Sequence, residues 1–111
     1  MPTRPLQGRW RIIEMSWLDQ DTLDELGPAF IDLDDGDGSF RFVVVLGDFS
    51  YHSRAERIRS SWEGSSECDQ AYGYIVAAMN ESHLVGMIEQ LDGDEWEFRA
   101  RRWDTALDGK P

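Results

Sequence analysis

Apolar and polar residues alternate along most of the chain between Arg9 and Trp103, and short clusters of Gly, Asp, Asn and Ser separate the alternating stretches. A period of two places every second side chain on one face of a β-strand, whereas a helix would need a period near 3.6. Aromatic and β-branched residues dominate the clearest stretch, 40–46, and these residue types favour strands. The pattern therefore predicts a β-meander in which consecutive strands pair.

The polar clusters set the predicted strand boundaries. We expect strands at 8–17, 29–33, 40–46, 49–53, 57–63, 71–79, 83–91 and 95–103. Residues 19–26 predict a turn or one helical loop, and residues 64–70 predict a polar loop. Closing the meander would pair the two edges that an open sheet leaves free. The chain thus predicts an all-β fold, a small antiparallel up-and-down β-barrel of about seven or eight strands, of the calycin or lipocalin type. Residues 8–103 form its single domain, between a flexible N-terminus at 1–7 and a flexible tail at 104–111.

The interior of such a barrel is filled by side chains or holds one small ligand. Alternation predicts large aromatic side chains inside and small residues beside them: Trp10, Phe42, Trp62 and Trp96 against Gly73, Ala77, Gly86 and Ala100. Glu14 falls on the same predicted face as Trp10 and Ile12. If the interior is a cavity, the predicted ligand-binding residues are Trp10, Glu14, Phe42, Trp62 and Trp96. The alternative is a packed core, and the sequence leaves both open.

Composition excludes several classes of protein. Hydrophobic residues make up 41% and aromatic residues 12%, which is too apolar for a disordered chain. The 22 acidic residues against 11 basic ones give a formal net charge of −11, which would repel nucleic-acid phosphates. No apolar run approaches the roughly 18 residues of a membrane-spanning helix, and the first residues lack a signal-peptide pattern. A single cysteine, Cys68, excludes an internal disulfide. These features predict a cytoplasmic protein that binds neither nucleic acid nor membrane.

Carboxylates are the candidates for chemistry. Glu14, held among aromatic side chains, could act as a general acid, and pairing with an arginine is the alternative. Glu63, at the end of a predicted strand, is the second catalytic candidate. Glu67 and Asp69 in the following loop are candidates for a metal site, although the loop lacks the spacing of calcium sites and solvated turns are the alternative. No spacing of His, Cys, Ser or Gly indicates a nucleophile or a cofactor, so no cofactor is predicted.

A second group of aromatic residues falls outside the predicted inward set. It consists of Trp17, Tyr51, Tyr72, Tyr74 and Trp103. Outward aromatic side chains often mark a contact surface. They predict either a homodimer or coverage by other parts of the same chain.

Five segments together carry a resemblance to a known family. They are W-R-I-x-E-M-x-W at 10–17, G-P-A-F-I at 27–31, F-x-F at 40–42, S-W-E-G at 61–64 and E-C-D at 67–69. Over residues 8–103, their order and spacing resemble a family of short uncharacterised bacterial proteins with the motifs W-R-I-x-E-M, G-P-A-F-I and S-W-E-G-x-D-E. The resemblance implies a shared scaffold and no established activity. The chain departs from the family pattern at Leu91, Trp96 and Tyr74-Ile75, where the family has a histidine, a serine and an Arg-Gly pair.

Three functions stay open at this point. The pattern favours a non-catalytic binding or accessory module, which would hold a small apolar ligand or present an acidic face to a protein partner. The alternative is an acid–base enzyme of hydrolase or isomerase type using Glu14 or Glu63, which would need both carboxylates close to one water. A further alternative is an acidic decoy or inhibitor of a basic protein.

Overall fold

The computed structural model describes residues 6–91 and 93–103. Its elements, in chain order, are β1 (Gly8–Met15), α1 (Gln20–Leu23), β2 (Phe30–Leu33), β3 (Asp37–Phe42), β4 (Val45–Ser50), β5 (Arg57–Ser66), β6 (Asp69–Asn80), β7 (His83–Gln90) and β8 (Glu95–Arg102). Each strand pairs antiparallel with the next, and β8 pairs with β1, so the sheet closes. The predicted all-β up-and-down barrel is confirmed, with eight strands.

Alternation along the strands builds the core. In β8, Trp96, Phe98 and Ala100 are buried, while the charged residues between them are exposed. The largest fully buried side chains come from six of the eight strands and from Leu6 and Leu23 outside them: Trp10, Trp62, Phe40, Phe42, Leu6, Ile12, Leu23, Ile31, Leu33, Ile75, Leu84 and Ile88. Each large apolar side chain removed from water stabilises the fold by about 1.5–3 kcal/mol. The hydrophobic effect therefore holds the barrel closed around its own side chains.

The chain turns earlier than expected after β3. The sequence predicts one strand over 40–46 and a turn at 47–48, but the structure turns at Val43 and begins β4 at Val45. This prediction was wrong. The shift of the turn changes which residues face inward in β4. Unbroken alternation from Phe42 would place Leu46 inside, but Leu46 is 42% exposed.

Packing explains why Gly47 is not a turn residue. It lies directly opposite Phe40, and a methyl group added at Gly47 would meet the phenyl ring. The glycine therefore makes room for an aromatic side chain inside the sheet. The turn instead uses Val43 at φ 52°, a left-handed conformation that is rare for a β-branched residue. The Val43 N–H donates to the Leu23 carbonyl at 2.8 Å, which helps to hold this conformation.

The polar segment 64–70 is also not the predicted loop. β5 continues to Ser66 and β6 begins at Asp69, so that only a tight turn containing Glu67 at φ 58° separates the strands. A side chain at Gly64 would meet the backbone of β4, because the neighbouring strand approaches closely there. Small polar residues thus form long paired strands rather than a loop.

The segments predicted to be flexible fall mostly outside the described residues, namely 1–5 and 104–111. Leu6 differs from the prediction. It is 1% exposed, and its carbonyl accepts a 2.9 Å hydrogen bond from the indole N–H of Trp10. Leu6 therefore belongs to the core.

The helical turn α1 is fixed to the barrel by an ion pair. The guanidinium of Arg11 on β1 donates to both carboxylate oxygens of Asp24, one of them at 2.9 Å. Burial opposes ionisation of Asp24, but hydrogen bonds from Arg11, the Ala29 N–H and Gln20 outweigh it and lower the pKa of this carboxyl group. No helix among the described residues is long and apolar enough to cross a membrane.

Candidate functional site

The four aromatic residues predicted to bind a ligand inside the barrel pack against the protein itself. Trp10, Phe42, Trp62 and Trp96 are each less than a tenth exposed. The ring of Phe42 meets that of Trp96 edge to face at 4.9 Å between centroids, and Trp62 meets Phe40 in the same way at 5.0 Å. An interior ligand could reach these rings only by displacing them. The geometry therefore favours the packed-core alternative.

Glu14 does not share the inward face of Trp10. A β-bulge shifts the register of β1 against β8 between Ile12 and Glu14, and this extra residue reverses the alternation. Glu14 consequently points outward with 68% of its side chain exposed, and Oε1 accepts a 2.8 Å hydrogen bond from Nε of Arg99. The expectation that Glu14 faces the interior is wrong, and its arginine pairing is the alternative that the sequence had offered.

Glu63 also faces outward, on β5. β1 and β5 are four strands apart in a closed ring of eight, so Glu14 and Glu63 lie on opposite walls. The two carboxylates cannot share one water, which is the arrangement that the enzyme alternative requires.

Glu67 lies in the tight turn between β5 and β6, Asp69 is the first residue of β6, and both are exposed. Within the described residues, no group of three or more His, Cys, Asp and Glu side chains is arranged to hold a metal ion. Glu67 and Asp69 therefore have no third side chain of these types beside them in the described part of the chain.

A groove with a volume of about 810 Å³ lies on the outer wall of the barrel, across β3 to β6. Its outward-facing lining combines acids with tyrosines, serines and one leucine: Asp37, Asp48, Ser50, Ser61, Glu63, Tyr72, Tyr74 and Leu91. We call this surface the acidic groove. Its volume is in the range of ligand sites in proteins, about 300–1,000 Å³.

Strand register brings the members of the acidic groove together. Asp48 on β4 is directly opposite Glu63 on β5, and Glu63 is directly opposite Tyr72 on β6. Two residues before Glu63 on β5, Ser61 is directly opposite Tyr74 on β6. The groove is therefore a patch of rigid sheet, in which residues far apart in sequence hold fixed positions.

The electrostatics of the acidic groove work against stability. Like charges directly opposite each other on paired strands are destabilising. Among the described residues, Asp37, Asp48 and Glu63 make no ion pair with an arginine or histidine. The groove thus concentrates negative charge that the rest of the described fold does not neutralise.

The predicted outward aromatic residues divide into three groups. Trp17, Tyr72 and Tyr74 are 74%, 50% and 51% exposed, as expected. Tyr51 is buried, and its hydroxyl donates to the Asp34 carbonyl, so the prediction for this residue was wrong. Trp103 is half-buried at the barrel wall. Of these five residues, only Tyr72 and Tyr74 line the acidic groove.

Sequence reasoning identified Glu63 and both tyrosines but missed Asp37 and Asp48. Both aspartates stand beside glycines between the predicted strands, so the sequence predicts turns at these positions. The alternation of Val45, Gly47 and Phe49 is the signal that could have placed Asp48 on the outer face of a strand.

Comparisons of the chain with protein-family models, with curated proteins and with solved structures find no match. The resemblance to the short bacterial proteins stays a prediction.

Proposed function

We propose that the protein is a non-catalytic binding module whose acidic groove holds a cationic, arginine- or lysine-bearing segment of a protein partner. One observation carries the proposal. Two half-exposed tyrosines line the same groove as three carboxylates that have no cationic partner among the described residues.

The chemistry of the groove matches such a segment. Arginine and lysine are attracted to the faces of tyrosine rings, and the attraction is worth about 0.5–1 kcal/mol at exposed sites. The carboxylates of Asp48 and Glu63 would accept charge-assisted hydrogen bonds from the same cations. A bound cation would also relieve the repulsion between these two carboxylates, so binding recovers stability that the free protein lacks. The net charge of −11 adds long-range attraction.

Other occupants fit the groove less well. In a symmetric contact, a second copy of the chain would place its own acidic groove against this one, so that like charges would meet. The homodimer predicted from the aromatic residues would therefore need another face. Nucleic acid would meet like charge. A cytoplasmic location stays part of the proposal and rests on the single cysteine.

Calorimetric titration with two capped peptides tests the proposal. One peptide alternates arginine with glycine, and the other replaces each arginine by its neutral isostere citrulline. We expect only the arginine peptide to bind, with an affinity that falls as salt is added. Comparable binding of the citrulline peptide, or no binding of either, would contradict the proposal.

Two variants locate the binding to the groove. Glu63→Gln and Tyr72→Ala should each weaken binding by roughly threefold to tenfold, since each removes a contact worth about 1 kcal/mol. Glu25→Gln is the matched control, because Glu25 is an exposed carboxylate outside the groove. An equal loss in Glu25→Gln would mean that bulk charge, rather than the groove, attracts the peptide.

A further inference from the structure

A second groove, with a volume of about 530 Å³, lies on the outer wall across β5, β6 and β7. Three arginines and a histidine line it: His52, Arg54, Arg57 and Arg59. Acidic residues outnumber basic ones two to one in the chain, yet none of the carboxylates that the structure describes lines this groove. We call it the basic groove.

The floor of the basic groove is apolar. Val76, Ala78 and Val85 face outward from β6 and β7 and are half-buried. Arg57 is directly opposite Ala78, and Arg59 is directly opposite Val76. Each of these two arginines therefore stands beside a small apolar side chain, so that cationic and apolar surface adjoin along one wall.

The turn before β5 holds Arg54 against Arg57. Both backbone N–H groups of this pair donate to the other's carbonyl at 3.0 Å, which closes a two-residue turn. Ala55 and Glu56 in that turn have φ of 53° and 60°, a left-handed conformation that costs a non-glycine residue roughly 1–2 kcal/mol. Two like charges are thus placed opposite each other at a strained turn.

Within the described part of the chain, the three arginines of the basic groove, Arg54, Arg57 and Arg59, have no ion-pair partner. Guanidinium groups bind carboxylates and phosphates through paired hydrogen bonds. An anionic group bound here would relieve the repulsion among the three cations, as a cation would in the acidic groove.

We propose that the basic groove binds a small amphipathic organic anion, with its anionic head on Arg57 and Arg59 and its apolar body on Val76, Ala78 and Val85. The groove has the size of a small-molecule site. A simple inorganic anion would leave the apolar floor in water, and a neutral apolar molecule would leave the arginines unpaired. The ligand must therefore carry both features.

Titration with four probes, followed by backbone amide chemical shifts, tests this proposal. Octanoate carries both features, octanol has only the chain, acetate has only the head, and octylamine has the opposite charge. We expect octanoate to bind at least tenfold more tightly than each of the others and to shift the amides of 57–59 and 76–78. Equal binding of octanol or acetate, tighter binding of octylamine, no binding of octanoate, or shifts confined to other regions would each overturn the proposal.

Three variants complete the test. Arg57→Gln and Val76→Asp should each weaken octanoate binding at least tenfold, the first by removing a cation and the second by placing a carboxylate on the floor. Both side chains face outward, and a native amide spectrum verifies that each variant is folded. Arg101→Gln is the matched control, because Arg101 is an exposed strand arginine outside the groove. If Arg101→Gln weakens binding as much as Arg57→Gln does, the basic groove is not the site.

Discussion

Replacing Glu63 by glutamine tests whether the acidic groove lowers the stability of the folded protein. Glu63 is directly opposite Asp48, and at such positions Cβ atoms lie about 4.5–5.5 Å apart. Two unit charges roughly 6 Å apart repel each other by about 0.7 kcal/mol in water. Glutamine keeps the size of the side chain and removes the charge. We therefore expect the free energy of unfolding to rise by about 0.5 kcal/mol in Glu63→Gln, within the range known for cross-strand pairs.

Urea denaturation followed by tryptophan fluorescence measures this gain. The gain should be present at low salt and should disappear in about 1 M NaCl, where the Debye length is about 3 Å. Glu25→Gln removes the same charge outside the groove and reports the general benefit of a lower net charge. In Asp48→Asn/Glu63→Gln, the second substitution should add little, since the repulsion is already gone.

Three results would refute this reasoning. Glu63→Gln could be no more stable than Glu25→Gln, its gain could persist in high salt, or the two groove substitutions could add independently. Any of these would mean that Asp48 and Glu63 do not repel each other in the folded protein.

Three further predictions concern the scaffold. Gly73→Ala should lower the urea midpoint, because the added methyl group would meet the Glu89 carbonyl oxygen on β7. At the exposed Gly93 the methyl group would meet only the Gln90 side chain, at 3.3 Å, so Gly93→Ala should lower the midpoint far less. Equal midpoints would contradict the close approach. The pKa of the Asp24 carboxyl group is lowered in the folded protein, so as the pH falls the unfolded chain binds a proton at this group first. Stability should therefore fall as the pH drops through the acid range, and Asp24→Asn should reduce that fall. An unchanged pH dependence in Asp24→Asn would contradict this prediction. Replacing Ala55 and Glu56 by Asn-Gly, the pair favoured in such turns, should raise the midpoint temperature through a gain of about 1 kcal/mol; a lower value would show that the turn is unstrained.

Alternation was sufficient to predict the fold because it reports which face of each strand is buried, and sequential pairing then closes the barrel. It was less reliable where single residues break a local rule. Gly47 is a turn residue by composition, but the ring of Phe40 needs the space above it. Val43 is a strand residue by composition, but it takes the turn conformation.

The candidate sites were predicted less well, because they depend on register rather than on composition. One extra residue in β1 moved Glu14 from the predicted inner face to the surface. Asp48 and Glu63 meet only because β4 is offset by the turn at Val43, which the sequence did not indicate. The basic groove could not be predicted for the same reason, because Arg57 on β5 and Val76 on β6 come close only through the register of these two strands.

The most direct test of the central proposal is the map of amide chemical shifts during titration with the arginine-glycine peptide. Shifts at 61–63 and 72–74, with the indole N–H signals of Trp10 and Trp96 unchanged, are expected if the acidic groove on the outer wall is the binding site. Shifts centred on those indole groups, or spread evenly over the whole surface, would contradict it.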